Sequence, residues 1–178
     1  DIEAMYSAYE ALNSDNSNRL TKEERAAVVA LKDKADAISA AKSAAEAALD
    51  KLEGVTGVAL REGLGLDAVK ADIEAAIAAA ETYVGITTGT STEELDAYGN
   101  IASAQESIEN YEAYLAFEEA FGDCYTKEAG ALGYPDAADV DAMYDEYEKL
   151  SDDMKAVLND AEKDNIAALK EKAAALEE

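Results

Sequence analysis

The apolar positions of this chain recur at alternating intervals of three and four, and they do so in several long runs. From Thr21 the series Val28, Leu31, Ala35, Ile38, Ala45, Leu49 and Leu52 follows that spacing, with Lys42 as its one polar interruption. Residues three and four apart share one side of an α-helix, so the series predicts a helix of about thirty residues, roughly 45 Å long, with a narrow apolar seam. Thr21-x-x-Glu24 is a capping box that starts it, and Gly54 stops it. Four of the ten glycines fall between Gly54 and Gly65, which marks a connection holding at most one short helical turn. Asp67 is placed to cap the next helix, whose seam is Val69, Ile73, Ile77, Ala80 and Val84.

The second half follows the same pattern. The run Gly85-Ile-Thr-Thr-Gly-Thr-Ser-Thr92 reads as a loop, and Ser91-x-x-Glu94 as a second capping box opening a long helix with Leu95, Tyr98, Ile101, Ile108, Tyr111, Leu115 and Phe121. Gly130 and Gly133-Tyr134-Pro135 break it, and Asp136 is a suitable cap for a short helix over 137–150. Ser151, followed by Asp152 and Asp153, opens a single last helix that carries Val157, Leu158, Ala161, Ile166, Leu169, Ala173 and Leu176. No window alternates with period two, so no sheet is expected. The fold class expected is all-α, in elongated antiparallel three-helix-bundle units: residues 1–84, a linker over 85–92, and residues 93–178.

Two stretches are alike. Asp1-Ile-Glu-Ala-Met-Tyr-Ser-Ala-Tyr-Glu-Ala-Leu12 and Asp139-Val-Asp-Ala-Met-Tyr-Asp-Glu-Tyr-Glu-Lys-Leu150 share seven of twelve residues. A weaker third copy is Asn110-Tyr111-Glu-Ala-Tyr114-Leu-Ala-Phe117. Paired Tyr at i and i+3 can close a helical seam while the hydroxyls reach water. A capped phrase follows each outer copy, Leu20-Thr-Lys-Glu-Glu and Leu150-Ser-Asp-Asp. In this alignment the first copy carries an insertion between Leu12 and Leu20.

Composition narrows the function. Forty acidic against fifteen basic residues give a net charge of −25, and residues 71–126 hold no Lys or Arg. That excludes a basic face for nucleic acid and disfavours an anionic membrane surface. No apolar run is long enough to insert in a membrane. There is no His, and the single Cys124 cannot form an internal disulfide. The proton shuttle that works best near neutral pH is therefore missing, as is the usual zinc ligand set. Cys124, with no basic neighbour evident in sequence, reads as a small half-buried hydrophobe. The hydrophobic share of 49% still supports a core, one rich in Ala. No signal peptide is visible ahead of the first helical pattern, so the chain reads as a fragment or as a processed mature chain.

The phrase Tyr144-x-x-Tyr-Glu-Lys-Leu-Ser-Asp-Asp-Met-Lys-Ala-Val-Leu-Asn159 resembles the helical-bundle repeats of Gram-positive bacterial surface proteins. The resemblance covers about the last forty residues well and the first thirty less well. It implies a secreted or cell-wall-attached multidomain protein, extracellular in location, whose bundles serve as spacers or adhesive modules. The implied partners are other domains of the same protein, or an extracellular protein or glycan.

One segment has the spacing of a cation site. Asn13, Asp15, Ser17, Arg19, Thr21 and Glu24 occupy positions one, three, five, seven, nine and twelve of a candidate calcium loop. Arg19 would contribute its backbone carbonyl, Leu20 fills the hydrophobic eighth position, and Asn18 stands where Gly is usual. Residues 9–30 thus resemble a degenerate EF-hand, and the resemblance implies Ca2+ as the one cofactor. Asn in place of the first Asp leaves few negative ligands, and Thr21 and Glu24 are equally accounted for as a helix cap.

Paired carboxylates such as Glu93-Glu94, Glu118-Glu119 and Asp152-Asp153 fall at helix starts or on polar faces, not in an apolar setting that would separate their roles as acid and base. The chain is therefore expected not to be an enzyme. Three functions remain: a non-catalytic structural or adhesive spacer, a calcium-responsive binding module, and an acidic nucleic-acid mimic that occupies a basic protein partner.

Overall fold

The computed structural model describes residues 2–12, 16, 18–87 and 90–177. Helices account for the regular structure, and there is no strand among the described residues, so the chain is all-α. The helices are α1 (Ile2–Glu10), α2 (Lys22–Asp50), α3 (Gly57–Arg61), α4 (Leu66–Ile86), α5 (Asn100–Tyr125), α6 (Ala137–Lys149), α7 (Asp152–Val157) and α8 (Asp160–Glu177). Short 3-10 turns lie at Thr92–Glu94, Ala129–Ala131 and Tyr134–Asp136.

Packing groups the chain into two units, each discontinuous in sequence. One comprises Asp1–Lys51 and Asp72–Ile101, the other Leu52–Ala71 and Ala102–Glu178. One boundary falls just after α2, and the others fall inside α4 and α5.

In the first unit α1 packs on α2. The buried residues of this unit are Ala45, Leu49, Ile73, Ala76, Ala80, Tyr83, Leu95 and Ile101. Three of them are Ala, which lets helices approach closely at little side-chain entropy cost but contributes little apolar area per residue. The Asn100 amide donates to the Leu49 carbonyl at 3.2 Å and so satisfies an acceptor near the end of α2. All the buried positions of α2 lie in its last turns, at Ala45 and Leu49; α1 has none.

The second unit holds larger side chains. Tyr114, Phe117 and Tyr125 of α5, Val140 and Met143 of α6, Val157 of α7, and Ile166, Leu169 and Ala173 of α8 belong to one core with Leu132, Ala137 and Leu158. Phe117 is its aromatic centre. Its ring stacks on Tyr125 at 5.7 Å and meets Phe121 at 5.4 Å and Tyr147 at 6.3 Å. The short helix α3 crosses α7 at Gly57, where an added Cβ would stand 2.6 Å from Val157 Cγ2. Glycine is needed there for the close approach.

Several helix starts differ from the sequence expectation. Ser91 makes no side-chain cap, and residues 92–94 form only a 3-10 turn. The long helix begins at Asn100, after Ala97 at φ 65°, a backbone conformation that no α-helix can pass through. Asp67 lies in the first turn of α4 rather than before it, since the Val69 amide already bonds to the Gly65 carbonyl. Asp136 makes no side-chain cap on α6; one carboxylate oxygen takes the Gly133 amide at 3.0 Å and the other takes Lys127. The expected single last helix is two helices, separated at Leu158 and Asn159.

Candidate functional site

Three of the six residues of the candidate calcium loop, Asn13, Asp15 and Ser17, lie outside the described residues. The other three are placed. Arg19 is exposed, and its amide donates to the Asn16 carbonyl at 3.1 Å. Thr21 caps α2: its Oγ1 accepts the Glu24 amide at 3.1 Å, and Glu24 Oε2 accepts the Thr21 amide at 2.7 Å and hydroxyl at 3.0 Å. Those bonds hold the Glu24 carboxyl below its ordinary range, the backbone bond contributing most. A bidentate calcium ligand would need both oxygens turned to the loop, whereas here one oxygen is committed to the cap. Among the described residues no group of three His, Cys, Asp or Glu is arranged to hold a metal ion.

The second half explains what the Thr21–Glu24 pair is. Asn159 and Glu162 form the same reciprocal box at the start of α8, with the Glu162 amide to Asn159 Oδ1 at 3.0 Å and the Asn159 amide to Glu162 Oε2 at 2.9 Å. The two boxes are separated by 138 residues, and so are Tyr6 and Tyr144. The offset persists in the contacts. Lys32 pairs with Glu3 at 3.3 Å and lies 5.7 Å from the Tyr6 ring; Lys170 pairs with Asp141 at 2.7 Å and lies 5.3 Å from the Tyr144 ring. Leu20, Glu24, Leu31, Lys32, Lys34 and Ala35 recur as Leu158, Glu162, Leu169, Lys170, Lys172 and Ala173. Residues 2–38 and 140–176 are therefore one helical hairpin used twice without a gap. The insertion expected between Leu12 and Leu20 is absent, because seven residues separate the flanking leucines in both copies. Thr21 corresponds to Asn159, not to Ser151, and the counterpart of the candidate calcium loop is α7 with its Ser151 cap.

Around the second box lies a polar cluster that the sequence reading missed. Arg61 of α3 donates from Nη1 to Glu162 Oε2 at 2.6 Å and to the Val157 carbonyl at 2.9 Å, and from Nη2 to Glu162 Oε1. Its guanidinium also lies 4.8 Å from the Tyr114 ring centroid. The Arg61 bonds hold the Glu162 carboxyl below its usual range, and Glu162 raises the guanidinium in turn. Burial pushes the hydroxyls of Tyr114 and Tyr125 up. A capping spacing Asn159-x-x-Glu162 was the available signal for half of this cluster; nothing local foretells Arg61, which is almost a hundred residues away.

Two open grooves lie in the second unit. One, of about 460 Å³, is lined by Val55, Gly57, Glu106, Ser107, Asp153 and Val157 among others. Ser107 Oγ is already bonded to the Val55 and Ser103 carbonyls. The other, of about 430 Å³, adjoins Tyr125, Lys127, Asn159, Glu162 and Asn165. There the Asn165 amide spans the Tyr125 and Lys127 carbonyls at 2.6 and 2.8 Å, which satisfies the end of α5, and Glu162 is held by Arg61. Ser107, Asn165 and Glu162 in these grooves are thus engaged in bonds that serve the fold. No charged or polar side chain is buried among the described residues. Glu118, Glu119, Asp152 and Asp153 are exposed. Cys124 is half-buried with its thiol pushed up by burial, although Lys127, absent from the sequence argument, opposes that shift.

Comparison with protein-family models, with curated proteins and with solved structures gave no match.

Proposed function

We propose that the chain is a non-catalytic structural or adhesive spacer of a bacterial surface protein, built from units of three-helix-bundle character. The observation that carries this reading is the helical hairpin repeated at an offset of 138 residues with its box, ion pair and cation–π contact retained. Duplicated helical units that bury apolar seams and keep an acidic exterior suit a solvated scaffold. The resemblance of residues 144–159 to bacterial surface repeats supports an extracellular place and partners among neighbouring domains, or an extracellular protein or glycan. Three carboxyls with altered acidity, Glu24, Asp136 and Glu162, are all lowered, whereas a general acid near neutral pH needs a raised one. Brief protease treatment of intact source cells tests the location. Release of peptides from this chain is expected, and their appearance only after lysis would contradict it.

The commitment of Glu24 to its cap, and the helical counterpart of residues 13–19, weigh against the calcium-responsive module. The thermal midpoint is therefore expected to be unchanged by millimolar calcium. A rise that disappears in Asp15→Ala would restore the ion-binding reading. A solvated acidic coat accounts for the net charge of −25 without the nucleic-acid mimic.

A further inference from the structure

The two copies of the hairpin differ in what covers them. In the second, Met143, Ile166 and Leu169 are fully buried, and Tyr114, Phe117 and Tyr125 of α5 share their core. In the first, Met5 and Val28 are only half-buried, while Leu12 and Leu31 are 39% and 45% exposed. The seam has the same residue types at the same spacing, yet among the described residues no helix covers it as residues 110–125 cover the second. The second copy thus displays the kind of element that fits the first. That element is a helix of about four turns with aromatic anchors at i, i+3 and i+6 or i+7.

We propose that the seam of α1 and α2 is a docking site for one amphipathic α-helix of a partner protein that carries such aromatic anchors, bound in the manner that α5 contributes to the second hairpin. Helix-in-groove recognition of this kind reads anchors spaced along one face. The proposal goes beyond the spacer reading and does not depend on it.

The probe is a fluorescent peptide of residues 105–126, stapled on its polar face to keep it helical, titrated with the full chain. Saturable binding is expected. It should weaken roughly tenfold or more in Leu31→Glu, stay unchanged in Leu64→Glu, which alters an exposed leucine elsewhere, and vanish when Tyr114 and Phe117 of the peptide are replaced by Ala. Because Leu31 is exposed, circular dichroism should report the Leu31→Glu chain as folded as the parent. Absence of binding up to about 1 mM, or binding indifferent to Leu31→Glu, overturns the proposal. So does a dimer of the parent chain that Leu31→Glu dissociates, because a second copy would then cover the seam.

Discussion

Residues 2–38 and 140–176 are a comparison made within one molecule. Sequence pattern, cap, ion pair and ring contact are shared, but Leu169 is wholly buried and Leu31 is not. An amphipathic seam is therefore a statement about what a helix can bury, and its neighbours decide whether it does. The second copy has α5 over its seam and Arg61 on its cap; among the described residues the first shows no counterpart of either.

Large-to-small changes should separate the copies most. Leu169→Ala is expected to cost about 2–5 kcal/mol through lost transfer energy and a cavity, and Leu31→Ala below about 1 kcal/mol, as read from urea unfolding. Equal costs would erase the distinction. Next comes the element found only beside the second copy. Gly57→Ala drives a methyl into the buried, β-branched Val157 and should cost about 1–3 kcal/mol. A neutral result would mean that α3 shifts freely.

The caps give a smaller and more diagnostic contrast. Glu162→Gln deprives the partly buried Arg61 of its counter-charge and should cost about 1–2 kcal/mol at pH 7. Glu24→Gln, at an exposed cap, should cost less. The sign of the pH dependence follows from the lowered Glu162 carboxyl. Its contribution is complete above the ordinary value of 4.5 and is lost as pH falls through the folded-state value. The stability gap between parent and Glu162→Gln should be level from pH 7 to pH 5 and shrink below. A gap that widened in acid would contradict the assignment. Least of all, Lys170→Met should cost about 0.5 kcal/mol, measured as a small drop in the urea midpoint. A loss comparable to that of Glu162→Gln would show that the Lys170 contacts matter more to the second copy than its cap does.

Much of this organisation was readable before the structure. Thr21 and Glu24 form the expected box because their side chains reach each other within one turn, and Gly133-Tyr134-Pro135 with Ser151 bracketed α6. The failures share a cause. Ala97 adopts a left-handed backbone that nothing in an Ala residue announces, so the start of α5 was placed too early. Val157 and Leu158 continue a helical apolar pattern into a real break, because both are buried where α7 ends. Ser151 imitates Thr21 as a cap and drew the alignment of the two copies out of register. The Arg61 cluster depends on residues far apart in sequence, which periodicity cannot bring together.

Native-state hydrogen exchange resolved along the chain tests the central claim most directly. If α5 completes one hairpin and leaves the other open, amides of residues 160–176 should exchange only near global unfolding, while those of 22–38 exchange through much cheaper local openings. Equal protection of the two segments would show that the exposed seam is as firmly held as the covered one, and would contradict the account.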